Sequence, residues 1–272
     1  MLRIHGKLVG FFVAVVCCAF VADVSSAKKD KDSTDAKEER VEIKYLVPES
    51  QIEAICKRLN LDVHNPTETR VVCFYDTESQ ELFNHQPKVI LRSRYSTDGK
   101  TDTTVKIRGK RTEDKKVKCE SDSVIGKPEP VLSCSLTDET QNRVEIETAN
   151  KGRDVKKIFN HDQENFVTNA GIEHLKWGDL MPFGPVNDVK VWKHLSAEGL
   201  EAITVERWEL PERDTKPKRV LFEVSTKTPM SALPEVTAAF KKLLGIEEVD
   251  AQQESETKTK LVMDHFAKSS NH

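Results

Sequence analysis

The residues of this sequence best suited to chemistry are charged side chains that recur at every second position of several short segments. Arginine and lysine groups bind phosphate oxygens, and arginine does so through two parallel hydrogen bonds. Carboxylates are ligands that Mg²⁺ and Mn²⁺ prefer. Together, the two kinds of side chain would bind a metal–polyphosphate. The alternating sets are Glu42 and Lys44, Arg92 and Arg94, Lys106 and Arg108, Glu120 and Asp122, and Glu223.

This alternation predicts strands, because successive side chains of a strand point to opposite faces. Two arrangements of such strands fit the pattern. In an ordinary half-buried sheet, the charged face lies in solvent and the apolar face lies on the core. In a closed barrel, the charged faces would line a tunnel and helices would cover the apolar outside. The alternation alone leaves both arrangements open.

The strands that must position these side chains can be placed from the same periodicity. They are predicted at Arg40–Val47, Arg70–Asp76, Val89–Tyr95, Thr103–Arg108, Val117–Val124, Val189–Trp192, Ala202–Leu210 and Arg219–Ser225. The less regular segments Arg143–Thr148 and Thr257–Met263 are predicted as further strands. Helices are predicted over Asp154–Ala170 and Ser231–Leu244, each followed by a glycine. A further helix is predicted to begin at Ser50, where Glu53 would complete a capping box.

Several of these segments resemble the CYTH domain, the domain of the triphosphate tunnel metalloenzymes, in order and approximate spacing. The resemblance covers about residues 40–266. It rests on Val41-Glu42-Ile43-Lys44, Phe74-Tyr75-Asp76-Thr77, Leu91-Arg92-Ser93-Arg94, Thr104-Val105-Lys106, Glu120-Ser121-Asp122 and Phe222-Glu223-Val224. The tail Thr257–Asp264 looks like the last lysine-bearing strand of that family.

The resemblance implies an α+β fold, in which a closed antiparallel eight-stranded tunnel β-barrel carries helices packed outside. The barrel domain would span residues 40–266, with a short tail at 267–272. Members of the family bind triphosphate-containing compounds and divalent metal, and they include inorganic, thiamine and RNA triphosphatases and adenylate cyclases. The ligand implied here is a phosphate-rich small molecule with Mg²⁺ or Mn²⁺ as cofactor.

Roles for single residues follow from the resemblance by position. Phosphate-binding roles are implied for Lys44, Arg92, Arg94 and Lys106, with Arg207, Lys258 and Lys260 as further candidates. Metal ligation is implied for Glu42, Glu120, Asp122 and Glu223, of which Glu42 and Glu120 would be the catalytic carboxylates. The reaction would be in-line attack of water on a terminal phosphorus, with metal neutralising charge.

The sequence departs from the family pattern at two acidic positions. Arg40 stands where the opening motif has its first glutamate, and Ser225 stands where the late motif has its second. Four candidate ligands remain, which is enough for one hard cation but leaves a second metal without its usual donors. Two functions therefore stay open. One is a metal-dependent triphosphate hydrolase, and the other is a catalytically degenerate barrel that binds anions or has a structural or interaction role.

The N-terminus has the layout of a signal peptide. A basic start, Met1–Lys7, precedes the uncharged apolar run Leu8–Ala22, and small residues lead up to Ala27. Cleavage near Ala27 would remove residues 1–27 and leave a charged, disordered leader over 28–39. The protein is then expected to be secreted or periplasmic, with no stable membrane span. The alternative is that the same segment stays as a membrane anchor.

The predicted mature chain retains four cysteines, Cys56, Cys73, Cys119 and Cys134. An even number in an oxidising compartment indicates disulfides, with three possible connectivities. Cys119 and Cys134 flank a turn-rich stretch and are placed to close a hairpin-like loop. The alternative is that some of the four are buried free thiols.

Composition narrows the class of protein. Of the 272 residues, 37% are hydrophobic and 32% are charged, which is enough apolar material for a core in one large domain or two small ones. The net charge of −3 argues against binding to a nucleic-acid duplex, which usually needs a basic excess. The sequence has no HExxH, GxSxG, GxGxxG or Walker motif.

Overall fold

The computed structural model describes residues 39–213, 216–247 and 257–268, and in this part of the chain nine strands close into a barrel. The strands are β1 (Arg40–Val47), β2 (Glu68–Asp76), β3 (Lys88–Ser96), β4 (Thr101–Arg108), β5 (Lys118–Val124), β6 (Val131–Asp138), β7 (Met181–Ala197), β8 (Leu200–Leu210) and β9 (Arg219–Pro229). The helices are α1 (Ile52–Arg58), α2 (Glu81–Asn84), α3 (Arg143–Ala149), α4 (His161–Asn169), α5 (Leu233–Leu244) and α6 (Lys258–Phe266). Short 3-10 helices lie at Glu49–Gln51, Val155–Ile158, Trp177–Asp179 and Met230–Ala232.

The strand order around the barrel is β1, β5, β6, β4, β3, β2, β7, β8, β9 and back to β1. The closed barrel with outer helices is confirmed, but it has nine strands rather than eight and is not wholly antiparallel. The strand that the sequence did not predict is β6. An odd number of strands cannot alternate in direction all the way round a ring, so one neighbouring pair must be parallel. That pair is β1 and β5.

Two large apolar clusters of the described residues lie outside the barrel wall. Along β1, Val41, Ile43 and Tyr45 are buried on the outer face, while Glu42 and Lys44 lie on the inner face. Helices α1 and α5 cover one side of the wall, and α3 and α4 cover another, each through its own apolar cluster. The polar faces of the strands are thereby left to the interior, which is the second of the two arrangements that the alternation allowed.

The C-terminal segment is a helix and not the strand predicted at Thr257–Met263. Thr257 caps helix α6 with its side-chain oxygen, which accepts a hydrogen bond from the backbone N–H of Lys260. One apolar face of α6 packs into the barrel against inward-facing side chains of the wall, so the helix lies across one end of the tunnel. The cluster includes Phe74, Ile90, Trp208, Leu261, Val262, Met263 and Phe266. The apolar residues of this segment are spaced as on one face of a helix, which explains why the strand prediction based on alternation was wrong here.

Two other predictions change in detail. Arg143–Thr148 is helix α3 and not a strand, because Asn142 caps it and only Ile146 and Ala149 turn to the core. The segment Asp154–Ala170 is interrupted after its 3-10 turn and resumes as α4. The capping box of α4 joins Asn160 and Gln163.

Two helix boundaries test the capping arguments made from the sequence. The capping box predicted at Ser50 is wrong, since α1 begins at Ile52 and the preceding Gln51 makes no capping side-chain hydrogen bond. Helix α5 is confirmed, and it ends at Gly245 in the left-handed region at φ +67°.

The strands β5 and β6 form a hairpin in which Cys119 and Cys134 stand directly opposite each other. The two residues are joined by a disulfide. Cys56 and Cys73 are free thiols, the second of them fully buried. The bridge expected between Cys119 and Cys134 is therefore confirmed, whereas Cys73 fits the alternative of a buried free thiol.

The predicted signal peptide and residues 28–38 of the predicted leader lie outside the described residues, so both stay predictions. None of the helices in the described ranges is long and apolar enough to cross a membrane.

Candidate functional site

The barrel encloses a cavity of about 610 Å³ lined by the inner faces of the strands and by the first turn of α6. Its basic lining side chains are Lys44, Arg70, Arg92, Arg94, Lys106, Arg108, Lys116, Lys118, Lys127, Lys227 and Lys258. Its acidic lining side chains are Glu42, Glu120, Asp122, Glu139, Glu206 and Glu223. Basic groups outnumber acidic groups along this lining although the whole chain has a net charge of −3. The tunnel therefore concentrates positive charge and attracts anions.

Three carboxylates converge on one side of the tunnel. Strands β1 and β5 run parallel, and their register sets Glu42 beside Asp122. Glu120 projects from β5 two residues before Asp122, on the same face. One oxygen from each of the three carboxylates lies within 4.8 Å of the others. We call Glu42, Glu120 and Asp122 the acidic triad.

The donor set of the acidic triad suits one hard divalent cation such as Mg²⁺ or Mn²⁺, which takes oxygen ligands and keeps several waters. The fourth candidate ligand, Glu223, lies elsewhere. It projects from β9 opposite Leu46, and its carboxylate accepts a hydrogen bond from Lys258 at 2.7 Å. Within the described ranges, Glu223 belongs to no group of three or more possible ligands close enough to share a metal ion. The structure thus brings three of the four expected ligands together.

Asp122 is the electrostatic centre of the triad. Its carboxylate lies 2.8 Å from Lys44, 3.2 Å from Lys106 and 3.6 Å from Arg108. Ser133 donates a further hydrogen bond to it at 2.9 Å. Burial alone would raise the pKa of Asp122, but the three cations hold the pKa well below its usual range. Asp122 therefore carries a full negative charge at any physiological pH.

The pKa values of two lysines that contact Asp122 are shifted in opposite directions. Burial would lower the pKa of Lys44, but the charges of Glu42 and Asp122 raise it above its ordinary value. Lys106 has the reverse balance, because burial and the nearby charge of Lys44 lower the pKa of its ammonium to about 8. Lys106 is thus a cation that loses part of its charge just above neutral pH.

Arg92 and Arg94 lie on β3, across the tunnel from the triad's strands in the ring. Arg94 donates its Nε–H to both oxygens of Asp102, at 2.9 and 3.1 Å. Arg92 reaches the same carboxylate only at 3.9 Å. Burial and the charge of Arg94 lower the pKa of Arg92 to about 9. This guanidinium is held in the tunnel with Asp102 as a distant counter-ion.

Two guanidinium groups have donors that are not satisfied. Among the described residues, the buried side-chain polar atoms without a hydrogen-bond partner are Nε of Arg92 and Nε of Arg108. A buried donor with no acceptor is costly, and a donor on a charged group more so. An anion with several oxygens in the tunnel would satisfy both.

A second acidic pair, Glu206 and Glu223, stands directly opposite across β8 and β9. Lys258, at the start of α6, donates hydrogen bonds to both carboxylates. Burial would raise the pKa of Glu206, but the ammonium of Lys258 lowers it. Arg70 lies 3.8 Å from the same carboxylate and is also held by Glu68. The pair is therefore neutralised from within the protein.

Two of the expected phosphate ligands do not line the cavity. Arg207 is the neighbour of Glu206 and points to the other face of β8, where it pairs with Glu209 at 2.9 Å. Lys260 lies on the outer side of α6, half exposed, in an ion pair with Asp264. Lys258, the alternative to Lys260, does line the cavity. Because α6 is a helix, residues two apart do not share a face, and only one of these two lysines turns inward.

The charged lining residues that were given no site role from the sequence include Arg70, Arg108, Glu206 and Lys227, although Arg108 stands in one of the alternating sets. A sequence signal was present for these four. Arg108 continues the alternation of Lys106, Lys227 continues that of Glu223, and Arg70 begins the strand whose inner face includes Phe74. Glu206 required the strand pairing as well, since its place follows from standing opposite Glu223.

The described barrel is similar to solved structures at low sequence identity. One is a candidate adenylate cyclase from Bacillus halodurans, with a TM-score of 0.53, 13% identity, and coverage of 82% of this chain and 97% of that one. Another is a candidate adenylyl cyclase from Hippeastrum that shows a dominant triphosphatase activity, with a TM-score of 0.52, 16% identity, and coverage of 84% and 95%. No protein-family model and no curated protein matches the sequence. The chain therefore shares the tunnel-barrel fold of these two proteins.

Proposed function

We propose that this protein binds a triphosphate or polyphosphate-type ligand in its tunnel, together with one divalent metal ion, and hydrolyses a phosphoanhydride bond of that ligand. The observation that carries the proposal is the pair of unsatisfied guanidinium donors, Arg92 Nε and Arg108 Nε, in a tunnel that also holds the acidic triad. The first feature calls for an anion, and the second for a hard cation. A metal–polyphosphate supplies both.

The roles follow from position. Arg92, Arg108 and Lys106 would take phosphate oxygens and stabilise the charge that develops on them as the terminal group is transferred. Glu42, Glu120 and Asp122 would hold Mg²⁺ or Mn²⁺. When bound, such an ion neutralises phosphate charge and lowers the pKa of a coordinated water. The barrel wall keeps these groups in fixed relative positions, which is the condition for oriented catalysis.

The similar structure from Hippeastrum supports hydrolysis over cyclisation, because triphosphatase activity is the dominant one in that protein. The disulfide between Cys119 and Cys134 supports an oxidising compartment, in keeping with the predicted signal peptide and a secreted or periplasmic protein.

The second candidate function is binding of a phosphate-rich anion without turnover. It is favoured by the internal pairing of the acidic residues, since Glu120 already contacts Lys227 at 3.0 Å and Glu223 already contacts Lys258. Ser225 supports it as well, because a hydroxyl stands on the inner face where a carboxylate would complete a second ligand set.

The test is an assay of phosphate release from inorganic tripolyphosphate, with Mg²⁺ or Mn²⁺, on the protein and two variants. Glu120→Gln removes one charge from the triad. Glu145→Gln is the matched control, because Glu145 is exposed on α3, outside the barrel. Thermal unfolding is recorded in the same samples with and without tripolyphosphate.

Metal-dependent release that is lost in Glu120→Gln and kept in Glu145→Gln would establish the hydrolase. A thermal shift with tripolyphosphate but no release would establish the binding protein. If tripolyphosphate produces neither release nor a thermal shift, both candidate functions are wrong.

A further inference from the structure

Glu120 of the acidic triad has two lysine partners of different character. Nζ of Lys227 lies 3.0 Å from Glu120 Oε2, and Nζ of Lys118 lies 3.3 Å from the same oxygen. The Lys118 side chain is 75% exposed, whereas that of Lys227 is 35% exposed. Lys227 also stands directly opposite Glu42 in the pairing of β1 with β9. Lys227 is therefore the cross-strand partner of one member of the triad, and its ammonium contacts another.

An ammonium in this place acts on two kinds of ligand in opposite ways. It occupies a carboxylate oxygen that a divalent cation needs, and it repels that cation. Toward a phosphate-rich anion it adds one more attractive charge. The lysine stem is flexible, so the same ammonium can leave Glu120 and turn to a ligand in the tunnel.

We propose that Lys227 is a tethered cation that competes with divalent metal for Glu120 and favours binding of the anion over binding of the metal in the tunnel. The inference deepens the proposed function and rests on it, since it takes the triad to be the metal site. It makes Lys227 a specificity-determining residue. Two consequences are expected. Metal alone should bind weakly, and polyphosphate should bind even without metal.

The acidic pair on β8 and β9 is likewise occupied by a lysine ammonium. Glu206 and Glu223 share the ammonium of Lys258, which is 13% exposed and held from both sides. A lysine thus stands where each of the two carboxylate groups would otherwise recruit a metal ion. We therefore expect no more than one divalent ion per chain.

The experiment uses two probes separately on the full chain: Mn²⁺ alone, and tripolyphosphate in the presence of EDTA, each titrated by calorimetry. Lys227→Gln should bind Mn²⁺ more tightly by roughly tenfold and tripolyphosphate more weakly by roughly tenfold, a change of about 1.4 kcal/mol in each case. Lys118→Gln removes the same charge from the same carboxylate in an exposed position, so it should change either affinity by about twofold or less. Lys227→Arg keeps the charge and should resemble the unmodified protein in both titrations.

The opposite signs of the two changes are what a merely structural role of Lys227 would not produce. The inference is overturned if Lys227→Gln leaves the Mn²⁺ affinity unchanged, if it weakens both ligands, or if no form of the protein binds Mn²⁺. It is also overturned if more than one Mn²⁺ binds per chain with comparable affinity. If the unmodified protein binds Mn²⁺ but not tripolyphosphate, the proposed function fails while the competition at Glu120 is still decided by the Mn²⁺ titrations.

Discussion

Replacing Asp122 by asparagine tests the electrostatic account of the tunnel most directly. The change keeps the size of the side chain and an oxygen for the hydrogen bond from Ser133, but it removes the charge that three cations share. Lys44 would retain Glu42 at 2.9 Å. Lys106 and Arg108 would lose the carboxylate that each contacts, at 3.2 and 3.6 Å.

The size of the effect follows from burial. Asp122 is 5% exposed, and removing one partner of a buried ion pair typically costs about 3–5 kcal/mol. The side chains of Lys106 and Arg108 are each about one-fifth exposed. This partial exposure places the expected loss of stability near the lower end of that range, at about 3 kcal/mol. For a domain of this size, that free-energy loss lowers the melting temperature by roughly 6–12 °C.

The stabilising effect of the Asp122 charge depends on pH. The pKa of Asp122 is lowered in the folded state, so the charge makes its full contribution to the free energy of unfolding above the ordinary pKa of 3.8. That contribution is lost as the pH falls toward the lower pKa of the folded state. The difference in stability between the unmodified protein and Asp122→Asn should therefore shrink by about 1.4 kcal/mol per pH unit below that value. Tripolyphosphate without metal should restore part of the stability of the variant, because it supplies the missing negative charge.

Urea unfolding followed by circular dichroism at pH 7, 5 and 3 measures these differences. Asp98→Asn is the control, because Asp98 is exposed and pairs with the exposed Lys100. The reasoning is refuted if Asp122→Asn is as stable as the control at pH 7. It is equally refuted if the loss of stability is the same at pH 3 as at pH 7.

Further predictions concern a titration, a covalent bond and a helix end. Lys106, with its pKa near 8, should make tripolyphosphate binding weaken between pH 7 and 9, and Lys106→Arg should flatten that dependence in calorimetric titrations. Reduction of the disulfide between Cys119 and Cys134, which are 15 residues apart, should lower the free energy of unfolding by about 3 kcal/mol in urea titrations with and without reductant. Lys216 donates hydrogen bonds to the backbone carbonyls of Asp264, His265 and Ala267 at the end of α6, so Lys216→Gln should speed amide exchange in that last turn and leave β3 unchanged.

Much of the wall of the tunnel could be predicted from the chain alone. Period-two alternation located most of the strands, because a strand with one polar and one apolar face must alternate. Alternation could not distinguish a polar face in bulk solvent from a polar face in a lumen, because charged groups are in contact with water in both cases. The resemblance in motif order decided for the lumen, and the barrel confirms that arrangement.

Pairing between distant strands was beyond the sequence. The acidic triad exists because β1 pairs with β5 in a parallel register. The two strands are distant in the chain, since Lys44 and Asp122 are 78 residues apart. Glu206 belongs to the lumen because β8 places it opposite Glu223, and by the same register Arg207 is turned outward. A shift of one residue in such a pairing would reverse every side chain of the strand.

The sequence by itself determined which segments alternate, which cysteines flank a hairpin, and that cations and carboxylates occur in strands at alternate positions. These are local properties, set by the geometry of neighbouring residues. Only the tertiary structure decided that the ring has nine strands, that α6 lies across one end, and that Lys227 and Lys258 stand against the carboxylates. Those features depend on which strands meet and in what register, and burial and pairing across the whole barrel choose among the possibilities.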